Sequence, residues 1–291
     1  MIVIRLKGGM GNQMFQYAFA KGLAASLNTE VKIDCSQLLD RARGNDFVYR
    51  DYDLTIFQIS QKFYVSPPLL RILYQIKSST LSRWIKKVSA RGKQIEKEKQ
   101  FKVDQSLIDS PKDEVIYEGW WQSEKYFKNV EGIVRKEFAF KKPLSETIGL
   151  EQRIKSTNSV CLNVRRTDFL TNEVLNATNK EYFIKAVEKM SEIVESPNIF
   201  IFSDDTKWCE ENLDFNLPTE VVQHDLKGEK FGNYMQLMIL CKHFIIPNSS
   251  FAWWAAWLNN NKSKKVIAPK NWFNDNTIDT SDMIPKEWIR L

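Results

Sequence analysis

Two adjacent arginines, Arg165 and Arg166, are the residues of this 291-residue chain best suited to hold a phosphate. They follow an apolar run, Val160–Val164, that predicts a strand ending in a polar turn. A guanidinium has a permanent charge and a planar fork of donors that fits phosphate oxygens. In α/β folds, ligands bind beyond the carboxyl ends of the strands, where these arginines fall. Taken alone, a surface pair bonded to carboxylates is the commoner explanation.

Two carboxylates follow the arginines in the stretch VRRTDFLTNE. Asp168 could orient an arginine, bind a hydroxyl or act as a base, and a structural role is favoured for it. Glu173 lies in a predicted loop, from which a carboxylate could reach the hydroxyl of an acceptor. A solvated surface glutamate is the alternative for Glu173.

A second acidic pair, Asp204 and Asp205, ends another predicted strand in the motif FSDD. A carboxylate at this place can accept paired N–H bonds from a guanine base. It could equally cap the next helix, because aspartate is a good N-cap residue. Both roles are kept, one for each aspartate.

The segment Pro247–Trp254 places small polar residues where a strand leads into a helix. Asn248, Ser249, Ser250 and Phe251 offer hydroxyls and N–H groups at a helix N-terminus, which favours an anion. Plain N-capping by a serine is the alternative. The nearby tryptophans are predicted to be core residues in either case: Trp253, Trp254 and Trp257.

A glycine-rich turn, Gly8–Gly11, follows the first predicted strand. The dinucleotide fingerprint GxGxxG is incomplete there, so Gly9 and its neighbours are a weak signal, and a tight structural turn is the alternative. Asn12 and Gln13 strengthen it, since amides offer both donors and acceptors to sugar hydroxyls.

Strands alternate with helices from Ser159 onward, which predicts a parallel sheet. The N-terminal part also opens as strand, turn and helix. We therefore predict an α/β fold with an N-terminal domain over residues 1–150 and a C-terminal domain over 151–291. A basic helical insert is predicted at about residues 66–103 of the first domain.

The net charge of +6 is concentrated in that insert, where residues 71–102 hold ten Lys/Arg and two Glu. Two amphipathic patterns there carry leucine, isoleucine and Trp84, as in helices that lie on anionic membranes. Packing of the apolar stripe on the core is the favoured alternative. Nucleic acid is a poorer partner, because no recognised motif accompanies the charge.

The chain contains no apolar run long enough to span a bilayer, and residues 1–6 are expected to form a strand rather than a signal peptide. Its four cysteines are scattered and are predicted to be reduced, mostly buried thiols. A cytoplasmic protein is expected, with peripheral attachment to the membrane through the basic insert as the alternative.

Taken together, these segments resemble the bacterial α-1,2-fucosyltransferases, relatives of the α-1,6- and protein O-fucosyltransferases. The likeness covers nearly the whole chain. It rests on motifs that occur in the family's order: GGMGNQMFQYAFAKGLA, GWWQSEKYF, VRRTD, FSDD, and NSSFAWWAAWLN with VIAPKNWF.

The resemblance implies a GT-B fold of two Rossmann-like domains facing a cleft, with the acceptor on the first and GDP-fucose mainly on the second. It implies inverting transfer of L-fucose to O2 of a galactose, with neither a metal nor another cofactor. By analogy, Arg165 or Arg166 grips the diphosphate and Asp205 reads the guanine. Glu173 falls where α-1,6 enzymes have their proposed base.

The resemblance also implies the remaining contacts with the donor. Ser249, Ser250 and Phe251 would help to hold the β-phosphate, and Asn12 and Gln13 would face the sugar. Asn163 stands where the family usually has histidine, so it cannot become a cation near the nucleotide. The full set implied for the donor is Gly9, Asn12, Gln13, Asn163, Arg165, Asp204, Asp205, Asn248, Ser249, Ser250 and Phe251.

Three alternatives stay open. A metal-dependent GT-A transferase could use the DxD motif Asp51-Tyr52-Asp53. A GT-B enzyme could use another GDP- or dTDP-sugar, with Asn163 as the reason. A glycan-binding or nucleotide-sensing protein could keep the fold without turnover. The acceptor is also open, between an O-antigen repeat, a capsule unit, a milk-type oligosaccharide and a lipid-linked oligosaccharide.

Overall fold

The computed structural model describes residues 1–40, 49–60, 62–65, 80, 84, 93–144, 148–167 and 172–291. The chain forms two compact units, Met1–Lys141 and Lys142–Leu291. The helix Ile148–Ser156 belongs to the second unit, so the domain boundary predicted between residues 150 and 151 falls inside that helix. The chain passes from one unit to the next at Lys141-Lys142-Pro143, because proline interrupts regular structure there.

Unit 1 contains one parallel sheet among its described residues, with the strand order β2-β1-β4-β3. The strands are β1 (Ile2–Arg5), β2 (Val31–Asp34), β3 (Ile95–Lys97) and β4 (Ile116–Glu118). The helices are α1 (Met10–Ser26), α2 (Gln105–Asp109) and α3 (Glu131–Glu137), with 3-10 turns at Leu54–Ile56 and Glu124–Val130.

A buried ion triad joins three adjacent strands of unit 1. Arg5, which is 4% exposed, donates from Nε to Asp34 at 2.8 Å and from Nη1 to Glu118 at 3.0 Å. The two carboxylates come from β2 and β4, on either side of β1. A buried guanidinium requires such partners, and the pKa of Arg5 is raised by them although burial acts in the opposite direction.

The basic insert predicted as helical at about residues 66–103 lies mostly outside the described residues. Its last part is not helical, because Ile95–Lys97 forms β3 and pairs in parallel with β4. Membrane contact by this insert stays a prediction. None of the described helices combines the length and the apolar composition that crossing a bilayer requires.

Unit 2 contains a parallel sheet of six strands in the order β10-β9-β8-β5-β6-β7. The strands are β5 (Asn158–Val164), β6 (Pro197–Ser203), β7 (Thr219–Val221), β8 (His243–Ile245), β9 (Val266–Ala268) and β10 (Ile289–Arg290). The helices are α4 (Ile148–Ser156), α5 (Lys180–Ile193), α6 (Thr206–Asn212), α7 (Gly232–Leu240) and α8 (Ser250–Leu258).

The core of unit 2 is apolar on both sides of the sheet, as the continuous hydrophobic strands require. Val160, Leu162 and Ile201 are completely buried. The prediction that the tryptophans of α8 are core residues is confirmed, since Trp253 and Trp254 are at most 1% exposed. All four cysteines of the chain are buried thiols, as predicted.

The strand order of unit 2 has one reversal, between β5 and β8. The chain leaves β5 toward β6 and β7 on one side, and leaves β8 toward β9 and β10 on the other. Loops that diverge from neighbouring parallel strands open a crevice at the carboxyl ends, which is the usual ligand site of doubly wound sheets. The segments that follow β5 and β8 carry the Arg165-Arg166 pair and Asn248–Ser250.

Candidate active site

Asp204 organises the arginine turn at the end of β5. Its carboxylate accepts hydrogen bonds from the N–H of Arg166 at 2.9 Å and from the N–H and the hydroxyl of Thr167. It also pairs with Nη1 of Arg165 at 3.2 Å. The same oxygen, Oδ2, serves Arg165 and both donors of Thr167. Asp204 therefore fixes the direction in which the arginines leave the strand.

Asp205 fixes Arg166 and begins the next helix. Its Oδ1 accepts from the N–H of Trp208, which is N-capping of α6, and its Oδ2 pairs with Nε of Arg166 at 3.2 Å. The guanidinium of Arg166 also lies 3.7 Å from the centre of the Trp208 ring. The capping role that the sequence left open is therefore the one that Asp205 performs, and its contact with guanine stays a prediction.

Asn163 is buried inside the sheet beside this turn. It is 8% exposed, and its Nδ2 donates to the carbonyl oxygen of Phe202 on β6 at 3.0 Å. The amide thus ties the last residues of β5 to those of β6, just before the residues that form the Arg–Asp pairs. In this chain the side chain at position 163 supports the strand ends with a neutral hydrogen bond.

The segment after β8 leads into the N-terminus of α8. One end of the Asn248 side-chain amide, the Nδ2 group, is hydrogen-bonded there. Asn248 is 4% exposed, and its Nδ2 donates to the carbonyl oxygen of Leu175 at 2.8 Å. That bond fixes which end of the amide is which, because a carbonyl cannot donate. Asn248 Oδ1 is buried and accepts no hydrogen bond from the described residues. A ligand hydroxyl or N–H group could satisfy it.

Ser249 caps α8, as the structural alternative expected. Its side chain accepts from the N–H of Ala252 at 3.5 Å, and its carbonyl oxygen accepts from Trp253. Helix geometry leaves the N–H groups of Ser250 and Phe251 without intrahelical acceptors. The capping role of Ser249 and an anion at the same helix end are compatible, because capping uses a different N–H group.

Glu173 lies in an exposed stretch before α5. Its carbonyl oxygen accepts from Nδ2 of Asn274 at 3.3 Å, and the neighbouring Val174 accepts from the N–H of Asn274 at 2.8 Å. These bonds fix the backbone and leave the carboxylate in a solvated setting. Its role as base stays a prediction, and Asp168 lies outside the described residues.

Sequence reasoning missed a strained loop that follows β7. Lys230 and Phe231 both have left-handed backbones, with φ of 49° and 61°. Non-glycine residues in that region cost free energy and cluster at functional sites. The side chain of Phe231 is 43% exposed. His224 in the same loop lies with its Nε2 2.8 Å from the carbonyl oxygen of Ser203. The only sequence signal was the glycine-flanked GEKFG between a strand and a helix.

The glycine turn of unit 1 has one position that requires glycine and one that leaves room. Gly8 has φ of +75°, and a Cβ there would lie 2.6 Å from Nδ2 of Asn12. Gly9 precedes α1, and a Cβ there would meet nothing within 4 Å. Asn12 accepts a hydrogen bond of 2.6 Å from Nε2 of Gln122. Gly9 therefore leaves the start of α1 open to a ligand.

Gln13 makes structural contacts, and the sugar contact that the resemblance implied for it stays a prediction. It is completely buried, its Nε2 donates to the carbonyl oxygens of Gly8 and Asp51, and its Oε1 accepts from the N–H of Asp53. The reason is that the 51–53 segment passes over the start of α1. The amide of Gln13 holds that segment in place.

The backbone of the motif Asp51-Tyr52-Asp53 is therefore held in place by its hydrogen bonds with Gln13. Tyr52 is 6% exposed, and Asp53 lies 3.5 Å from Nε2 of Gln13 through its carboxylate. Across the described ranges, His, Cys, Asp and Glu side chains nowhere form a group of three or more suited to a metal ion.

The chain forms two separate α/β units, each built on a parallel sheet with polar loops at its carboxyl edge, as the predicted GT-B fold class requires. The predicted fold class is confirmed. The chain therefore does not have the GT-A fold that the alternative built on the 51–53 motif requires. The sequence profile of glycosyl transferase family 11 matches residues 1–291. The chain belongs to this family.

Two relatives and one solved structure illustrate the range of similar proteins. An alpha-1,2-colitosyltransferase of Escherichia coli is 31% identical, with 100% of this chain and 98% of the relative covered. A galactoside 2-alpha-L-fucosyltransferase of Caenorhabditis elegans is 25% identical, covering 99% of this chain and 76% of the relative. The crystal structure of the fucosyltransferase NodZ from Bradyrhizobium matches with a TM-score of 0.47 and 15% identity, covering 88% of this chain and 93% of NodZ.

Proposed function

We propose that this family 11 enzyme transfers L-fucose from GDP-β-L-fucose to O2 of a galactose in a glycan acceptor, giving an α-1,2 linkage. The observation that carries the proposal is the pairing of Arg165 and Arg166 with Asp204 and Asp205 at the reversal of the unit 2 sheet. The galactoside 2-alpha-L-fucosyltransferase among the relatives supports the sugar and the linkage.

The donor's diphosphate binds beyond the ends of β5 and β8 in this proposal. Arg165 is the ligand in this proposal, because the oxygen of Asp204 that it contacts also accepts from two donors of Thr167 and stays hydrogen-bonded if the guanidinium turns to the diphosphate. Arg166 is the positioning residue, since Asp205 and Trp208 already hold it on two sides. The N–H groups of Ser250 and Phe251 add donors for the β-phosphate.

The reaction is a single displacement at C1 of the fucose. O2 of the galactose attacks C1 while the bond from C1 to the phosphate oxygen breaks, so the β-linked donor gives an α-linked product. GDP leaves with the bonding electrons, and Arg165 and the start of α8 stabilise the charge that develops on it without a metal. The proton of O2 passes to a carboxylate, for which Glu173 is the candidate, or to the departing phosphate.

The test is release of GDP from GDP-fucose in EDTA, with and without lactose or N-acetyllactosamine. We expect release to rise with a terminal β-galactoside, and NMR of the product to show linkage at galactose O2. Arg165→Ala should lower turnover by about 10²–10³-fold, as loss of a donor to a developing anion does. Arg153→Ala is the matched control, because Arg153 lies on α4 in an exposed pair with Glu220.

Two results would contradict the proposal. Near-normal turnover in both Arg165→Ala and Arg166→Ala would remove the diphosphate assignment. Turnover that is lost in EDTA and restored by a divalent metal would overturn the metal-free mechanism.

A second donor, GDP-colitose, is favoured by the alpha-1,2-colitosyltransferase among the relatives and by the neutral Asn163 at the strand ends. Colitose is fucose without the 3-hydroxyl group, so the same fold and linkage would serve. Competition between the two donors at equal concentration separates the candidates. A higher kcat/KM for GDP-colitose would replace fucose as the proposed sugar and leave the α-1,2 linkage in place.

A further inference from the structure

The loop that follows β4, Gly119–Gln122, holds a strained backbone at the carboxyl edge of the unit 1 sheet. Trp121 has φ of 55°, a left-handed conformation that is uncommon for a bulky residue. Its ring is 1% exposed and stacks on Phe19 with ring centres 4.1 Å apart. Strain of this kind persists only where the surroundings over-determine it, and it clusters at functional sites.

Glu98 is the main group that holds this loop. Its two carboxylate oxygens accept from the N–H groups of Trp120 at 2.6 Å and Trp121 at 2.9 Å. Burial raises the pKa of the Glu98 carboxyl, although these two bonds and Lys7 act in the opposite direction. Gln16 donates to the carbonyl oxygen of Gly119 at 3.1 Å from the other side.

Gly119 must lack a side chain for this arrangement to exist. A Cβ at that position would lie 2.5 Å from Cβ of Glu98 and 2.6 Å from the Trp121 ring. The carboxylate and the loop are therefore packed as closely as the backbone allows. Such close support is what a binding group needs if its side chain is to be held ready for a ligand.

The loop presents Trp120 and Gln122 beside the glycine turn. Trp120 is half-buried, Lys7 lies 4.1 Å from the centre of its ring, and its edge would be 3.0 Å from a Cβ on Gly8. Gln122 donates to Asn12 at 2.6 Å, so these two amides form one polar pair. Beside them, Gly9 leaves open space at the start of α1.

We propose that Trp120, Asn12 and Gln122 form a glycan-binding subsite of unit 1 that takes the galactose of the acceptor, which assigns Asn12 to the acceptor and not to the donor sugar that the resemblance implied. The face of the Trp120 indole opposite Lys7 would offer a flat apolar surface to the C–H face of a pyranose, and the amides would offer donors and acceptors to its hydroxyls. Glu98 acts as a positioning residue, through Trp120. This inference rests on the proposed function, because the acceptor's sugar is the ligand that it names.

Saturation-transfer NMR and titration with lactose and N-acetyllactosamine measure this subsite directly, without the donor. We expect both galactosides to bind the wild-type protein. We expect Trp120→Ala to weaken binding by about tenfold or more, which corresponds to ~1.4 kcal/mol, and Trp120→Phe to restore part of it. GDP affinity should be unchanged in both variants.

The matched control is Ile133→Ala, which truncates an apolar side chain of α3 that is 48% exposed. Circular dichroism and thermal unfolding check that each variant is folded. If Trp120→Ala does not fold, Trp120→Phe tests the subsite in its place. Glu98→Gln should raise the acceptor KM more than it lowers kcat, because it disturbs the loop and not the reacting groups. A loss of stability alone would not produce that split.

Several outcomes would overturn the subsite. Equal galactoside affinity in Trp120→Ala and wild type, or no binding to the wild type, would remove it. A loss of GDP affinity equal to the loss of galactoside affinity would make Trp120 a nucleotide contact instead. These failures differ from failure of the proposed function, which is wild-type enzyme that binds a galactoside and releases no GDP from GDP-fucose in its presence.

Discussion

The guanidinium of Arg166 lies over the ring of Trp208, 3.7 Å from its centre, while its Nε pairs with Asp205. Two contacts on different sides fix the plane of the guanidinium before any ligand arrives. Binding then costs less side-chain entropy than it would for an unrestrained arginine. Trp208 thus contributes to the candidate donor site although it follows the acidic motif and was not among the residues that the sequence singled out.

Replacing Trp208 tests this contact. We expect Trp208→Ala to lower the affinity for GDP by less than the roughly 30-fold that corresponds to a whole cation–π contact of ~2 kcal/mol, because the contact is already present before the ligand binds. Trp208→Phe keeps an aromatic face and should lose less. Isothermal titration with GDP gives both values. Unchanged affinity in a folded Trp208→Ala protein would show that the stack is only structural.

The glycine turn offers a matched pair of substitutions. Gly8→Ala should lower the free energy of unfolding by about 1–3 kcal/mol, because an alanine at φ of +75° is strained and its Cβ meets Asn12. Gly9→Ala should change stability by less than about 1 kcal/mol, since its backbone is extended and its Cβ enters open space. Urea unfolding measures both.

The same pair separates stability from binding. If a ligand approaches the start of α1, Gly9→Ala should lower kcat/KM while the protein stays stable. Full activity in a stable Gly9→Ala protein would argue that the open space at this turn has no part in binding.

His243 gives unit 2 a pH dependence. Its Nδ1 accepts from the N–H of Lys265 at 3.0 Å, and burial, followed by Lys242 and Lys265, lowers the pKa of the imidazole. As the pH falls below the ordinary histidine value of about 6.5, the unfolded chain takes up a proton before the folded protein does. The free energy of unfolding should therefore fall from pH 7 to pH 5 and level off below the folded pKa.

The substitution His243→Asn isolates this effect. Asparagine can still accept through its side-chain oxygen and cannot be protonated in this range. Chemical unfolding of the whole protein at a series of pH values should show a smaller fall in the free energy of unfolding for the variant than for the wild type. An identical fall in both proteins would place the pH dependence elsewhere.

The cysteines should be unreactive in the folded protein. All four are buried, and burial raises the pKa of Cys209 to about 11. At pH 8 a thiol with that pKa is only about one part in a thousand thiolate, which is the reactive form. We expect slow reaction with Ellman's reagent in buffer and rapid reaction of four thiols in guanidinium chloride. A fast phase in buffer would reveal an accessible cysteine.

The residues of the candidate donor site could be singled out from the sequence because they lie directly after predicted strands. The sequence placed the arginine turn and the acidic pair each at a strand end, and parallel strands bring their carboxyl ends to one edge, where Arg165 meets Asp204 and Arg166 meets Asp205. The roles within the group were less predictable. Capping by Asp205 and burial of Gln13 depend on which backbone groups lie near, and sequence does not give that.

The Trp120 subsite could not be predicted for a different reason. Glu98 meets Trp120 only because two three-residue strands, β3 and β4, pair in parallel, and β3 lies in a stretch that reads as a basic helix. The left-handed backbone of Trp121 is also invisible in the residue type, since tryptophan rarely adopts it. The strained Lys230 and Phe231 escaped notice for the same reason.

The ion triad of unit 1 has a consequence for how the chain folds during synthesis. Asp34 is 29 residues from Arg5, whereas Glu118 is 113 residues away. A sheet that placed any other strand beside β1 would leave a buried guanidinium short of a partner, at a cost of about 3–5 kcal/mol. The triad therefore selects against wrong strand orders, and a nascent chain that has not yet reached Glu118 holds Arg5 only half-paired.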